Sequence, residues 1–272
     1  MSAMEERERA VNPSGSAIWD DHAAWWKRTF TMGADREYDL EIIPIVVREL
    51  AKCQRVLDIG CGEGQVARAL AAVEQSGQFL EVVGIDPAFL QIRFARSSPH
   101  PTDGPSYLQG AGEALPFASN SFDGAFCCLS IEHADDADLV LEEAARVLCP
   151  GGVFLLLINH PMYQGPDSGF IDDQILGERY WRVGPYLVEQ VSVEEVDANV
   201  SIPFAHRPLN RYVNPLAASG AVMTAMFEPP PLPEFLANSI EPELEGSIPR
   251  LLVMRFEKRP AVAAPRLRQR AI

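Results

Sequence analysis

A chain of 272 residues with 47% hydrophobic and 22% charged side chains has ordinary globular composition, and it is long enough to bury a core without disulfide staples. Its net charge of −15 argues against a nucleic-acid surface, which needs dense Lys and Arg to displace counterions. The densest apolar run, GGVFLLLI, is far short of the ~20 residues of a membrane helix, and the charged start MSAMEERERAVNPSGS lacks the apolar stretch of a secretory signal.

In chain order, residues 1–16 read as a disordered tail. RVLDIG is a first strand, and Val66, Ala69, Leu70 and Val73 then recur at helical spacing. EVVGID is a second strand, followed by a helix around AFLQIRFAR. SYLQG is a short third strand and FDGAFCCLS a fourth. Val140, Ala144, Val147 and Leu148 mark a helix that the turn CPGG ends, and VFLLLIN is a fifth strand. This alternation, with two nearly continuously apolar strands, predicts an α/β fold with a parallel sheet covered on both faces.

Beyond the fifth strand HPMYQGPDSGF is loop-like, and YLVEQVSVEEVDANVSIPF predicts a polar-edged hairpin. A helix runs from near Pro208 to Gly220. AVMTAMF and RLLVMRF are two closing strands, separated by an EPPPLP segment of polyproline character. The expectation is a doubly wound, Rossmann-like, mostly parallel seven-stranded sheet forming one domain over 17–258, with a lid insertion at about 161–207 and a basic tail at 259–272. Cys53, Cys61, Cys127, Cys128 and Cys149 follow no metal-binding spacing, so they read as thiols of a reducing, cytoplasmic compartment, with no metal.

The first strand runs into Asp58-Ile59-Gly60-Cys61-Gly62-Glu63-Gly64 and then a helix. Such glycines let backbone approach a ligand, and the helix start behind them offers free N–H groups. Asp86, ending the second strand, is placed to accept hydrogen bonds from both hydroxyls of a ribose. GEGQVA also matches a dinucleotide fingerprint, so this pair alone fits either a methyltransferase or an NAD(P)-dependent oxidoreductase. Asp58 separates them: it suits a cationic ammonium and would repel a pyrophosphate.

VLDIGCGEG, VVGIDP, ALPF followed by FD, and LCPGG, between Val56 and Ile158, together resemble the class I S-adenosylmethionine-dependent methyltransferases, in particular the bacterial small-molecule group with an LPF signature. The resemblance implies S-adenosylmethionine as cofactor and methyl transfer to a small-molecule acceptor by in-line displacement at the sulfonium. It implies that the loop from Asp58 through Gly60 and Gly62 to Gly64 receives the methionine end and that Asp86 holds the ribose. Pro87 and Leu115 would lie near the adenine faces, backbone at Gly112 and Glu113 at the adenine edge, and Leu129 with Ser130 beside the amino group and sulfonium. Ala111 departs from the pattern, because many relatives carry an Asp there to accept from the adenine amino group. Ala111 also leaves open a protein that binds cofactor or a partner without catalysis; the intact loop and Asp86 oppose that reading.

His133, just after the fourth strand, is the candidate catalytic base. Trp26, His160 and Tyr163 are candidate substrate residues. Trp19, Trp25, Phe170, Tyr180, Trp181 and Tyr186 add aromatic character to the segments expected over the pocket, which suits a hydrophobic or aromatic acceptor. The sequence does not fix the oligomeric state.

Overall fold

A computed structural model describes residues 15–31, 34–75, 78–100, 104–237 and 239–260. Of the expected tails, 1–14 and 261–272 lie outside the described residues, and Gly15 already opens a helix. The longer helices are α1 (Gly15–Phe30), α2 (Ile43–Leu50), α3 (Gln65–Ala71), α4 (Phe89–Ser97), α5 (Ala137–Val147) and α6 (Asn210–Ala218). The strands of four or more residues are β1 (Arg55–Ile59), β2 (Glu81–Asp86), β3 (Ser106–Gln109), β4 (Phe122–Cys128), β5 (Leu148–Asn159), β6 (Gly169–Asp173), β7 (Glu178–Arg182), β8 (Gln190–Asp197), β9 (Val200–His206), β10 (Ala221–Phe227) and β11 (Leu251–Lys258).

Seven of these strands form one sheet in the order β10-β11-β5-β4-β1-β2-β3. The first five pair in parallel, and β11 joins β5 antiparallel, with β10 outside it. The chain starts in the middle and winds outward in both directions, so a crevice opens beyond the C-terminal ends of β1, β2 and β4. Period-two alternation covers both faces. Leu57, Ile59, Ala125, Phe154 and Leu156 pack with α5 and α6, whereas Val56, Val82, Phe126, Leu155 and Leu157 pack with α2, α3 and α4. Asp58 shares the side of Val56 but ends at the crevice, a position where an apolar side chain would otherwise continue the core.

Two expected features differ. CPGG is no separate turn: α5 passes directly into β5 at Leu148, and the glycines sit where the β4–β5 register shifts between Phe122 and Gly124. Gly151 takes φ +81° there, and a Cβ on Gly152 would press the Cys149 and Asp123 carbonyls, which explains the glycine pair without a turn. The segment after β5 also holds a second hairpin, β6–β7, besides the expected one, which is β8–β9. α6 ends as expected, with Gly220 in the left-handed conformation at φ +83°.

Gly64 at φ +81° caps α3 with its Cα against the Tyr107 ring, where a Cβ would collide with the phenol hydroxyl. Gly151, also at φ +81°, has nothing within 4 Å of a Cβ position. Gly64→Ala therefore combines strain of about 1–2 kcal/mol with overpacking of about 1–3 kcal/mol, and Gly151→Ala carries the strain alone. Thermal unfolding is expected to fall by about 4–20 °C for the first and about 2–8 °C for the second. Equal losses would mean that Tyr107 yields freely.

Candidate functional site

The crevice holds a cavity of about 430 Å³, within the usual range for small-ligand sites. Its floor is the loop after β1. The turn is tied to the strand ends, with the Gly60 and Cys61 N–H groups donating to the Ile85 carbonyl at 2.8 and 3.0 Å. Gly60 has φ +74°, and a Cβ there would strike the Ser130 side chain, so only glycine lets the β4 end approach. Gly62 has φ +52° and faces open space bounded by Gln91 and Trp26.

Asp86 governs this turn. Its Oδ2 accepts from the Gly62 N–H and its Oδ1 from the Ala88 N–H, both at 2.8 Å. Each oxygen keeps a lone pair for a ligand hydroxyl. Burial pushes the Asp86 carboxyl up to about 6, against the pull of the Ala88 and Gly62 N–H groups. Asp58 is 2% exposed and no hydrogen bond reaches its carboxylate among the described residues. Burial, and secondarily the Asp86 carboxylate, holds Asp58 well above the usual carboxylate range. A cation from a ligand would relieve that cost.

Opposite the loop, the chain after β4 supplies Leu129, a non-glycine residue at φ +49°, then Ser130, Ile131 and His133. Ser130 donates to the Ile59 carbonyl at 3.1 Å, linking the two strand ends. His133 Nδ1 lies 2.9 Å from the Pro203 carbonyl of β9. A carbonyl only accepts, so Nδ1 carries the proton and Nε2 holds the free lone pair. The ring lies between Trp19 and Phe204, with centroids at 4.9 and 4.8 Å. Burial pushes His133 down to about 4, outweighing the Pro203 hydrogen bond.

Of the expected cofactor residues, Asp58, Gly60, Gly62, Asp86, Pro87, Gly112, Glu113 and Leu129 line the cavity, as do Ala111, His133 and Trp26. Gly64 and Leu115 do not. Gly64 is packed under Tyr107, and Leu115 is a core residue whose N–H donates to Glu143 at 2.8 Å. His160 and Tyr163 also stand apart from the cavity. His160 Nδ1 accepts from the Met162 N–H at 3.1 Å, which leaves Nε2–H to donate to Glu228 at 3.0 Å, so both ring nitrogens are engaged. Tyr163 stacks on Trp181 at 4.9 Å, and Phe170 meets the same indole edge-on at 4.8 Å. These aromatics satisfy one another, with Arg250 over Tyr163 and Phe235, and β6–β7 adds no residue to the cavity wall.

Trp19, expected over the pocket, lines the cavity together with Tyr38 and Gln91, both of which sequence reasoning missed. Gln91 is 2% exposed and its Oε1 has no hydrogen-bond partner among the described residues. Its signal was a lone glutamine on the apolar face of AFLQIRFAR, five residues after Asp86. An unpartnered buried amide oxygen, two free Asp86 lone pairs, an unpaired Asp58 carboxylate and the open space at Gly62 fit a ligand that brings hydroxyls and a positive charge.

Residues 57–156 match the family described as a methyltransferase domain. The chain is 35% identical over 133 residues to the ubiquinone/menaquinone biosynthesis C-methyltransferase of Syntrophotalea carbinolica, covering 48% of this chain and 53% of that one. Over 114 residues it is 35% identical to a fatty-acid O-methyltransferase of Mycolicibacterium smegmatis, covering 42% and 40%. The chain thus spans about half the length of these curated relatives. Its structure aligns with an S-adenosylmethionine dependent methyltransferase from Mesorhizobium loti at a TM-score of 0.65 and 25% identity, over 82% of this chain and 98% of that one.

The state of Asp58 has a measurable consequence. Its folded pKa is raised above the ordinary 3.8, so the penalty is absent below that pH and grows as pH rises above it. Asp58→Asn is expected to raise the melting temperature of the ligand-free protein, with a gain that widens from pH 5 to pH 8. A gain independent of pH would show that the carboxylate is solvated or paired.

Proposed function

We propose, from the premise that this chain carries a class I S-adenosylmethionine-dependent methyltransferase domain, that it transfers the cofactor's methyl group to a small organic acceptor with an apolar or aromatic body. The observation that carries the reading is the pairing of Asp86, with its two free lone pairs, and the unpaired buried Asp58 in one cavity.

Asp86 holds the ribose hydroxyls, Asp58 and the Gln91 amide oxygen face the cationic amino-acid end, and backbone at Gly112 and Glu113 borders the adenine. Ala111 offers no acceptor to the adenine amino group, an omission that costs about 1 kcal/mol of affinity. When bound, S-adenosylmethionine supplies a methyl group already activated by its sulfonium. The protein's task is then alignment and exclusion of water. Trp19, Trp26, Leu129 and Ile131 provide the apolar wall against which an acceptor lies flat.

His133 accepts the proton. Its Nε2 lone pair takes a hydrogen bond from the nucleophile's O–H or N–H and orients the nucleophile toward the methyl carbon. A base poised near 4 is weak, yet it suffices for an oxygen nucleophile, whose proton becomes strongly acidic as the oxygen–carbon bond forms. No helix of the described residues is long and apolar enough to cross a membrane. The five cysteines are free thiols, which accords with work in the cytoplasm.

Thermal unfolding with saturating S-adenosylmethionine, S-adenosylhomocysteine, NAD or NADP tests the reading. Ligand at 100 times its dissociation constant adds about 2.7 kcal/mol, or roughly 5–11 °C here, and only the two adenosyl ligands are expected to give it. A shift with a nicotinamide cofactor alone would overturn the proposal. Asp86→Ala is expected to weaken adenosyl binding about 10- to 100-fold. With an oxygen acceptor, His133→Ala is expected to lower kcat about 10²-fold and leave KM nearly unchanged; an unaltered kcat would remove His133 as the base.

A further inference from the structure

We infer that Glu132 is a positioning residue for His133: its buried carboxyl ties the turn that carries the base to the end of β5, and so sets where Nε2 stands in the cavity. The inference rests on the reading of His133 as proton acceptor and adds the residue that holds it in place.

The need for such a tie lies in how β4 ends. β4 and β5 pair in parallel as far as Cys128 and Leu157, and the Leu129 N–H continues the ladder to the Leu157 carbonyl at 2.9 Å. There the chain departs, with Leu129 at φ +49°, into a single 3-10 turn, Ile131–His133. β5 runs on to Asn159, beyond its last pair with β4. The Glu132 side chain reaches back to it: Oε1 accepts from the Asn159 N–H at 2.8 Å and lies 3.4 Å from the Asn159 side-chain amide. The carboxylate stands in for the backbone carbonyl that a longer β4 would offer.

Glu132 itself is out of reach of the chemistry. It is 5% exposed and lines a second, small cavity of about 10 Å³ with Asn159, Gln164, Arg207 and Tyr212, taking no part in the wall of the large one. Its Oε2 has no hydrogen-bond partner among the described residues. Burial pushes the carboxyl up to about 7, against the pull of its own and the Asn159 N–H groups. A leucine would fill the same space without burying a carboxyl, but it would leave the Asn159 N–H unpaired and the turn untied.

The turn is gripped from its other side by the end of β9. Arg207 donates to the Ile131 and Ala134 carbonyls, both at 3.1 Å, and the Pro203 carbonyl takes the His133 Nδ1–H at 2.9 Å. These contacts alone would let the turn follow the β8–β9 hairpin. Glu132 fixes it to the sheet instead, and with it the separation between Nε2 and the loop after β1.

The test follows His133 by nuclear magnetic resonance in the whole ligand-free chain, with histidine ring nitrogens labelled and His133→Ala assigning the signal. His133 titrates at about 4 while its ring stays between Trp19 and Phe204. Glu132→Leu is expected to move that titration toward the ordinary value of about 6.5. Methyl transfer to 2-naphthol is expected to fall about 10- to 100-fold, with S-adenosylhomocysteine affinity held within about twofold. Glu132→Gln keeps an acceptor for Asn159 and is expected to match the unaltered protein in every readout. Glu132→Asp, one methylene too short, is expected to follow Glu132→Leu and serves in its place should that variant not fold. A His133 titration still at about 4 in the Leu and Asp variants, or a Gln variant as displaced as they are, would overturn the inference. Failure of S-adenosylhomocysteine to bind the unaltered chain, or an unchanged kcat in His133→Ala, would instead remove the reading it rests on, while the titration still decides the tie.

Discussion

Two hydrogen bonds to one carboxylate organise the working end of this molecule. Asp86 ends β2, and its oxygens fix the Gly62 and Ala88 N–H groups at 2.8 Å. The first pins the turn after β1, and the second pins the entry to α4. Because β1 lies between β2 and β4, pinning that turn also sets its distance from Ser130 across Gly60. The cavity is what remains between these ties. Its opening follows from sheet topology, since the chain winds outward from β1 toward opposite edges of the sheet.

The roof is built differently, from segments far apart in the chain. The Trp25 indole N–H donates to Asp197 at 2.8 Å, and its ring packs with Val200 and Ile202, so α1 and the β8–β9 hairpin hold each other in place. That contact frees Trp19 and Trp26 on the same helix to face the cavity. The hairpin in turn reaches the site through Pro203, whose carbonyl selects the tautomer of His133. Whether a proton can be taken at Nε2 is thus decided by a backbone atom 70 residues away.

The third theme is uncompensated acid. Burial disfavours the charged forms of both Asp58 and Asp86, so the protein carries an electrostatic cost in this cavity. The unpartnered Gln91 amide oxygen and the remaining lone pairs of Asp86 lie in the same cavity. The protein's core bears that cost through the continuously apolar strands β4 and β5, covered on both faces.

The glycine loop, Asp86, the order of the first five strands and the helix to Gly220 were legible from the sequence, because each depends on local spacing: backbone freedom, period-two and 3.6-residue alternation, and short connections. The extended path through CPGG was not, because a glycine pair reads as a turn until the neighbouring strand's register is known. Gln91 and Tyr38, which the sequence did not single out, reached the cavity beside Trp19, which it did, while His160 and Tyr163 were drawn into contacts with Glu228 and Trp181. An aromatic or histidine in a long insertion has several partners that would bury it equally well, and its spacing does not say which is nearest. Sequence determined the floor of the cavity by chain-local rules; the tertiary structure alone decided which side chains form the wall opposite it, because that wall is made by long-range packing of α1 against a hairpin about 170 residues later.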